Sequence, residues 1–103
     1  MTTSFEDLVK KALYIGVHEI AYPIDVFSIA TEISEHPESI TKIDEIERLI
    51  RDPDNHFTRW AAVRALRQMG TEAIEKTRES MIQQLAIEGY DLAAEEIRDA
   101  LSK

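Results

Sequence analysis

The strongest constraint on this chain is a recurrence. Val26-x-x-Ile29-Ala30-x-x-Ile33 returns 36 residues later as Ala62-x-x-Ala65-Leu66-x-x-Met69, and after a further 35 as Ile97-x-x-Ala100-Leu101. Within each copy the apolar positions are spaced as on one face of an α-helix, so three helices share one buried stripe. A second series interleaves with the first. Ile46, Leu49 and Ile50 recur 36 residues on as Ile82, Leu85 and Ala86, and Leu13 stands 36 before Leu49. Alternation at this period predicts six helices paired as three hairpins.

Glycine and proline punctuate the same plan. Thr3-Ser4-Phe5-Glu6 reads as a capping box, with the Thr3 hydroxyl accepting from a first-turn amide and Glu6 reaching back, opening a helix from Ser4 to Ala21. Pro23 suits the first turn of a second helix that stops near Glu35, before Pro37. A third helix runs from Ile40 to Arg51, and Asp54 or Asn55 caps a fourth that reaches Met69, with Gly70 in its C-terminal turn. Thr71 caps a fifth that reaches Glu88 with Gly89 as its stop, and Asp91 opens a sixth ending at Leu101. Alternating β-branched runs are nearly absent. The expected fold is therefore all-α: three stacked antiparallel helical hairpins in one domain, residues 1–103, with approximate repeats 4–36, 39–70 and 71–102.

The stretch Leu49-Ile50-Arg51-Asp52-Pro53-Asp54, followed by Arg59-x-x-Ala62-x-x-Ala65-Leu66-x-x-Met69-Gly70, resembles a HEAT repeat, particularly the short variety of phycobilisome-lyase-like proteins. The resemblance is good over Leu49 to Gly70, fair over Met81 to Leu101 and weak before Glu38. It implies an α-α superhelix in which an Asp-Pro-Asp turn joins two antiparallel helices. It also implies that the second helices of the hairpins line a concave face. Arg59 falls at the family's arginine, with a structural role in the inter-repeat turn, and Thr58 replaces the valine that usually precedes it.

Composition narrows the function classes. Cysteine is absent, which excludes disulfides and thiolate metal sites. Twenty acidic against twelve basic residues give a net charge of −8, a field that repels nucleic acid and anionic lipid and favours basic partners. The longest apolar-leaning stretch, Ala12 to Ala30, is broken by His18, Glu19, Pro23 and Asp25, so no bilayer span is expected, and the N-terminus does not read as a signal peptide. The chain reads as cytoplasmic.

Catalytic and metal-binding patterns fail one by one. His18-Glu19 begins like a zinc-protease motif, but the second histidine's position holds Tyr22. Asp52 to Phe57 begins like a calcium loop, yet the glycine and the twelfth-position acid it needs are Phe57 and Val63. No histidine lies three residues after a glutamate, and Glu32-x-x-Glu35 reads as solvated surface. No nucleophile elbow or phosphate-binding loop is present. The expectation is a non-enzymatic binding protein with no cofactor and no metal.

Two surfaces suggest themselves for a protein partner. A helical wheel puts Trp60 opposite the core stripe of the fourth helix, with Val63, Arg64 and Arg67 beside it. The equivalent positions are Ile24, Phe27, Ser28 and Thr31 on the second helix, and Glu95, Arg98, Asp99 and Ser102 on the sixth. Tryptophan and arginine dominate binding hot spots, so this stripe is a candidate groove, or equally a site where Trp60 and Phe27 pack on each other. A homodimer through the same stripe is a further reading. The second surface is acidic. Ala12 to Thr41 contains no Lys or Arg but holds Glu19, Asp25, Glu32, Glu35 and Glu38, whereas Arg48 to Arg67 holds five arginines. Asp25, Glu32 and Glu35 would suit an immunity- or antitoxin-type inhibitor of a basic toxin. The arginine end makes nucleic-acid binding a third, weaker choice, because Asp52, Asp54 and the overall charge oppose it.

Overall fold

The computed structural model describes residues 3–102, and these form six helices: α1 (Phe5–Leu13), α2 (Pro23–Glu35), α3 (Ile43–Ile50), α4 (His56–Met69), α5 (Thr71–Leu85) and α6 (Asp91–Leu101). The fold is all-α. None of these helices is long and apolar enough to cross a membrane.

Local chemistry sets most of the helix starts. The Ser4 hydroxyl accepts the Asp7 amide at 3.1 Å, so the cap falls on Ser4 rather than Thr3. Pro23 occupies the first turn of α2, where its missing N–H costs nothing, and the Asp25 carboxylate accepts the Tyr22 amide at 2.8 Å. Asp52 accepts the amides of Asp54 and Asn55, both at 2.9 Å, and Asn55 in turn accepts those of Phe57 and Thr58. Asp52 and Asn55 thus build the turn into α4. At the next junction Gly70, with φ at 110°, ends α4 and precedes α5, so Thr71 is the first helical residue and not a cap.

Three boundaries differ from the periodicity. α3 begins at Ile43 rather than Ile40, and α5 ends at Leu85 short of Glu88, with no positive φ at Gly89. The largest difference is α1, which ends at Leu13 and not Ala21. Its cause is tertiary. Gly16 turns the chain with φ at 75°, and a Cβ there would lie 3.0 Å from the Phe57 ring. The carbonyls released at the helix end need donors, and the start of α4 supplies them. The Thr58 hydroxyl donates to Ala12 O at 2.6 Å, and Asn55 Nδ2 donates to Leu13 O at 3.2 Å and Ile15 O at 2.9 Å.

α4 packs against all five other helices; α1 also packs on α2, α3 on α5, and α5 on α6. Ala61, Ala62 and Ala65 are fully buried, and side chains this small let neighbouring helices approach closely. The main core takes residues from every helix, among them Phe5, Leu8, Ile33, Ile46, Ile50, Leu66, Met81 and Ile97. A second cluster of Ile15, Val26, Trp60, Ala61 and Ala93 gathers Phe27, Phe57 and Tyr90 around its edge.

Candidate functional site

The wheel leaves one side of α4 for a partner, and the structure closes it. Trp60 is only 5% exposed and Val63 is fully buried, because α2 and α6 both pack on α4 and leave it no open apolar side. The Trp60 and Phe27 rings meet edge to face at 5.4 Å, and Tyr90 covers Trp60 at 6.0 Å. The Arg64 guanidinium lies 3.9 Å from the centroid of the Phe27 ring. Of the two readings of this stripe, internal packing is the one the geometry describes. Among the six residues expected to contact a partner, Ile24 alone is largely exposed.

What joins these residues is a carboxylate. Glu96 of α6, itself buried, accepts Trp60 Nε1–H at 3.0 Å and Arg64 at 3.2 Å, and it is paired with Arg67. Asp99 lies 3.8 Å from Arg67 on its outer side. A second buried carboxylate sits near the other end of α4. Glu88 receives Arg59 in a two-point ion pair at 2.8 Å for each contact, while the same guanidinium donates to Asp52 O at 2.8 Å. The Tyr90 amide and Gln84 also donate to Glu88. Burial pushes the Glu88 pKa up, but these hydrogen bonds, led by those from Arg59, outweigh it and hold the carboxyl below its ordinary value. Hydrogen bonding to Glu88 raises the pKa of Arg59 in turn.

Arg59 therefore links the α3–α4 turn to the α5–α6 connection, and His56 adds to that joint. Its ring packs on Tyr90 at 4.1 Å and on Phe57 at 4.2 Å. Burial, and then the Arg59 charge, hold the His56 pKa below its ordinary value, partly opposed by Glu88. Three of the five arginines between Arg48 and Arg67 are thus engaged by buried carboxylates, and a fourth, Arg51, donates to Ser80 and Gln83. Arg48 and Arg51 remain exposed at the surface.

The acidic residues remain at the surface. Asp25 serves the start of α2 while staying exposed, Glu32 lies 3.8 Å from Lys11, and Glu35 stands exposed beside His36 and Pro37. Between them and α1 is the feature that helical periodicity did not bring out. Tyr14, Val17, Ile20, Tyr22 and Ile24 are all more than half exposed within eleven consecutive residues. The backbone carrying them is held by Asn55, by the packing of Gly16 against Phe57, and by stacking of the Tyr14 and His18 rings at 5.9 Å. A shallow groove beside it is lined by Lys11, Tyr14, His18, Glu19, Ile20 and Asp25.

No protein-family model matches the sequence, and no curated protein or solved structure matches it either.

Glu96 had a sequence signal. It stands 36 residues after Trp60, the offset linking the first two repeats, whereas an offset of 35 aligns Glu95 with Trp60 and turns attention to an exposed residue. Glu88 had none, because it lies in a connection outside the periodic pattern.

Proposed function

We propose that the chain is a non-catalytic helical module of HEAT-like type that binds another protein through the edge between α1 and α2. One observation carries this reading. Large exposed apolar side chains, otherwise scattered, are concentrated on one anchored segment, Tyr14 to Ile24, and a local excess of exposed apolar side chains points to an interaction site in a soluble protein. The HEAT-like assignment draws support from the packing of α4 on both α2 and α6, and from the 36-residue offset joining Trp60 to Glu96. The partner face lies away from Trp60.

A second reading, a small acidic inhibitor of a basic toxin, is favoured by the absence of Lys and Arg from Ala12 to Thr41. The two readings share a surface and differ in what binding does to the partner.

The test is affinity capture from native lysate with wild type, Ile20→Asp and Trp60→Phe, each confirmed as folded, followed by reconstitution with the purified partner. Loss of a stoichiometric partner with Ile20→Asp alone supports the edge. Equal retention by all three would remove the edge from consideration, and failure to reconstitute any complex would remove the binding-module reading itself. For the inhibitor, association must slow as salt rises; a salt-independent rate excludes that form.

A further inference from the structure

We propose that the occupant of the α1–α2 edge is a basic amphipathic segment of a partner protein, with its apolar side chains on Val17, Ile20 and Ile24 and its Lys or Arg side chains toward Glu19 and Asp25. This deepens the binding-module reading and rests on it. The argument begins with charge. Thirty consecutive residues, Ala12 to Thr41, hold five carboxylates and no Lys or Arg, and they include the whole exposed apolar run; of the five, Glu19 and Asp25 line the groove, whereas Glu38 is paired with Lys42. The nearest cation lining the groove, Lys11, is itself beside Glu32. An apolar surface set in a negative field selects a partner that is apolar and positive, and speeds its approach.

The same field disfavours the other occupants. A second copy would bring two acidic edges together on a chain of net charge −8, and nucleic acid and anionic membranes carry the wrong sign. The edge is also preorganised. Asn55 holds the backbone at Leu13 and Ile15, Gly16 packs against Phe57, and Asp25 fixes Tyr22, so binding does not have to order a mobile loop. Tyr14 and His18, stacked at the groove wall, present aromatic surface on which an arginine or lysine side chain can lie.

The experiment titrates two synthetic helical peptides into isotope-labelled protein and follows backbone amide shifts. One peptide carries a leucine face and an arginine face, and the other has every arginine replaced by glutamate. The proteins are wild type, Glu19→Lys and Ile20→Ser, both substitutions being at exposed positions, with Trp60 fluorescence confirming the fold. The arginine peptide should perturb residues 14–25, weaken with added salt, and lose about tenfold or more in affinity for either variant. The glutamate peptide should leave this segment undisturbed.

Shifts centred elsewhere, for instance around Ile82 and Ile87, would overturn the proposed surface while leaving the chain a binding module. Equal binding of both peptides would overturn the charge selection. Concentration-dependent shifts at residues 14–25 in the protein alone would make a second copy the occupant and overturn the proposal. No perturbation of this segment by the arginine peptide would also overturn it, whereas the binding-module reading stands or falls on the reconstituted complex.

Discussion

At the scale of single residues, polar groups placed inside the fold decide more than the apolar stripe reveals. Glu96 is the clearest case. Its carboxylate is the acceptor for Trp60 Nε1 and the counter-charge for Arg64 and Arg67, so removing it leaves one buried donor and Arg64 without their partner and Arg67 with Asp99 alone, at 3.8 Å. Breaking a buried pair costs about 3–5 kcal/mol. Here the arginine side chains are 31% and 28% exposed and regain some water, so Glu96→Ala should cost about 2–3 kcal/mol, read from the urea midpoint. Trp60→Phe removes the Nε1 donor and also shrinks a buried indole to a phenyl ring, and should cost about 2–3 kcal/mol. Thr58 tests the same principle in a place where the HEAT resemblance would put valine. Thr58→Val keeps shape and burial but takes away the hydroxyl that donates to Ala12 O, so it should lose about 1–3 kcal/mol of stability. Thr58→Ser, which keeps the donor, should recover much of that loss. A neutral Thr58→Val would show that Ala12 O finds another donor.

At the scale of elements, helix existence was legible and helix ends less so. The i, i+3, i+4 spacing of apolar residues located all six helices, because that spacing records which face is buried. It did not register where α1 stops, since Gly16 and the side chains of Asn55 and Thr58 act on it from a distant part of the chain. The α5–α6 connection was equally opaque, being held by Glu88, Arg59 and the ring of His56, none of which belongs to a stripe. This connection should respond to acid. The His56 pKa is depressed below 6.5, so the fold favours the neutral ring; its contribution is complete above 6.5 and is lost as pH falls from there toward the folded value. The Glu88 pKa is depressed below 4.5, so its contribution is present above 4.5 and is lost as pH falls through the folded value. Both act in the same direction, with His56 responding first. Urea midpoints should therefore decline in two stages as pH is lowered. His56→Phe, which keeps an aromatic ring against Tyr90, should flatten the upper stage and leave the lower one. An unchanged upper stage would assign it to another group.

At the scale of the whole molecule, the repeat predicts neighbours along a series, and the structure adds a centre. A helical wheel describes one helix and carries no information on how many others surround it. The far side of α4 therefore reads in sequence equally as a partner groove or as a packing face, whereas in the fold α2 and α6 occlude its apolar residues. The acidic block of Ala12 to Thr41 was visible from composition, while the exposed edge inside it depended on knowing that α1 ends early. The central position of α4 has a consequence for unfolding. In an extended array each repeat touches only its neighbours, and the ends can melt while the middle persists. In this chain α4 packs on every other helix and the main core draws on all six, so no hairpin can leave without opening buried surface on α4. Unfolding should therefore be one cooperative transition. Far-UV circular dichroism, which reports all the helices, and Trp60 emission, which reports the second cluster on α4, should give the same urea midpoint and the same slope, about 1–3 kcal/mol/M. Native emission should be that of a buried indole in the monomer, since Trp60 is enclosed by Phe27, Tyr90 and Glu96 from the same chain. Helicity that outlasts the Trp60 transition would mean that the aromatic cluster opens as a separate unit, and that α4 does not couple the two ends of the fold.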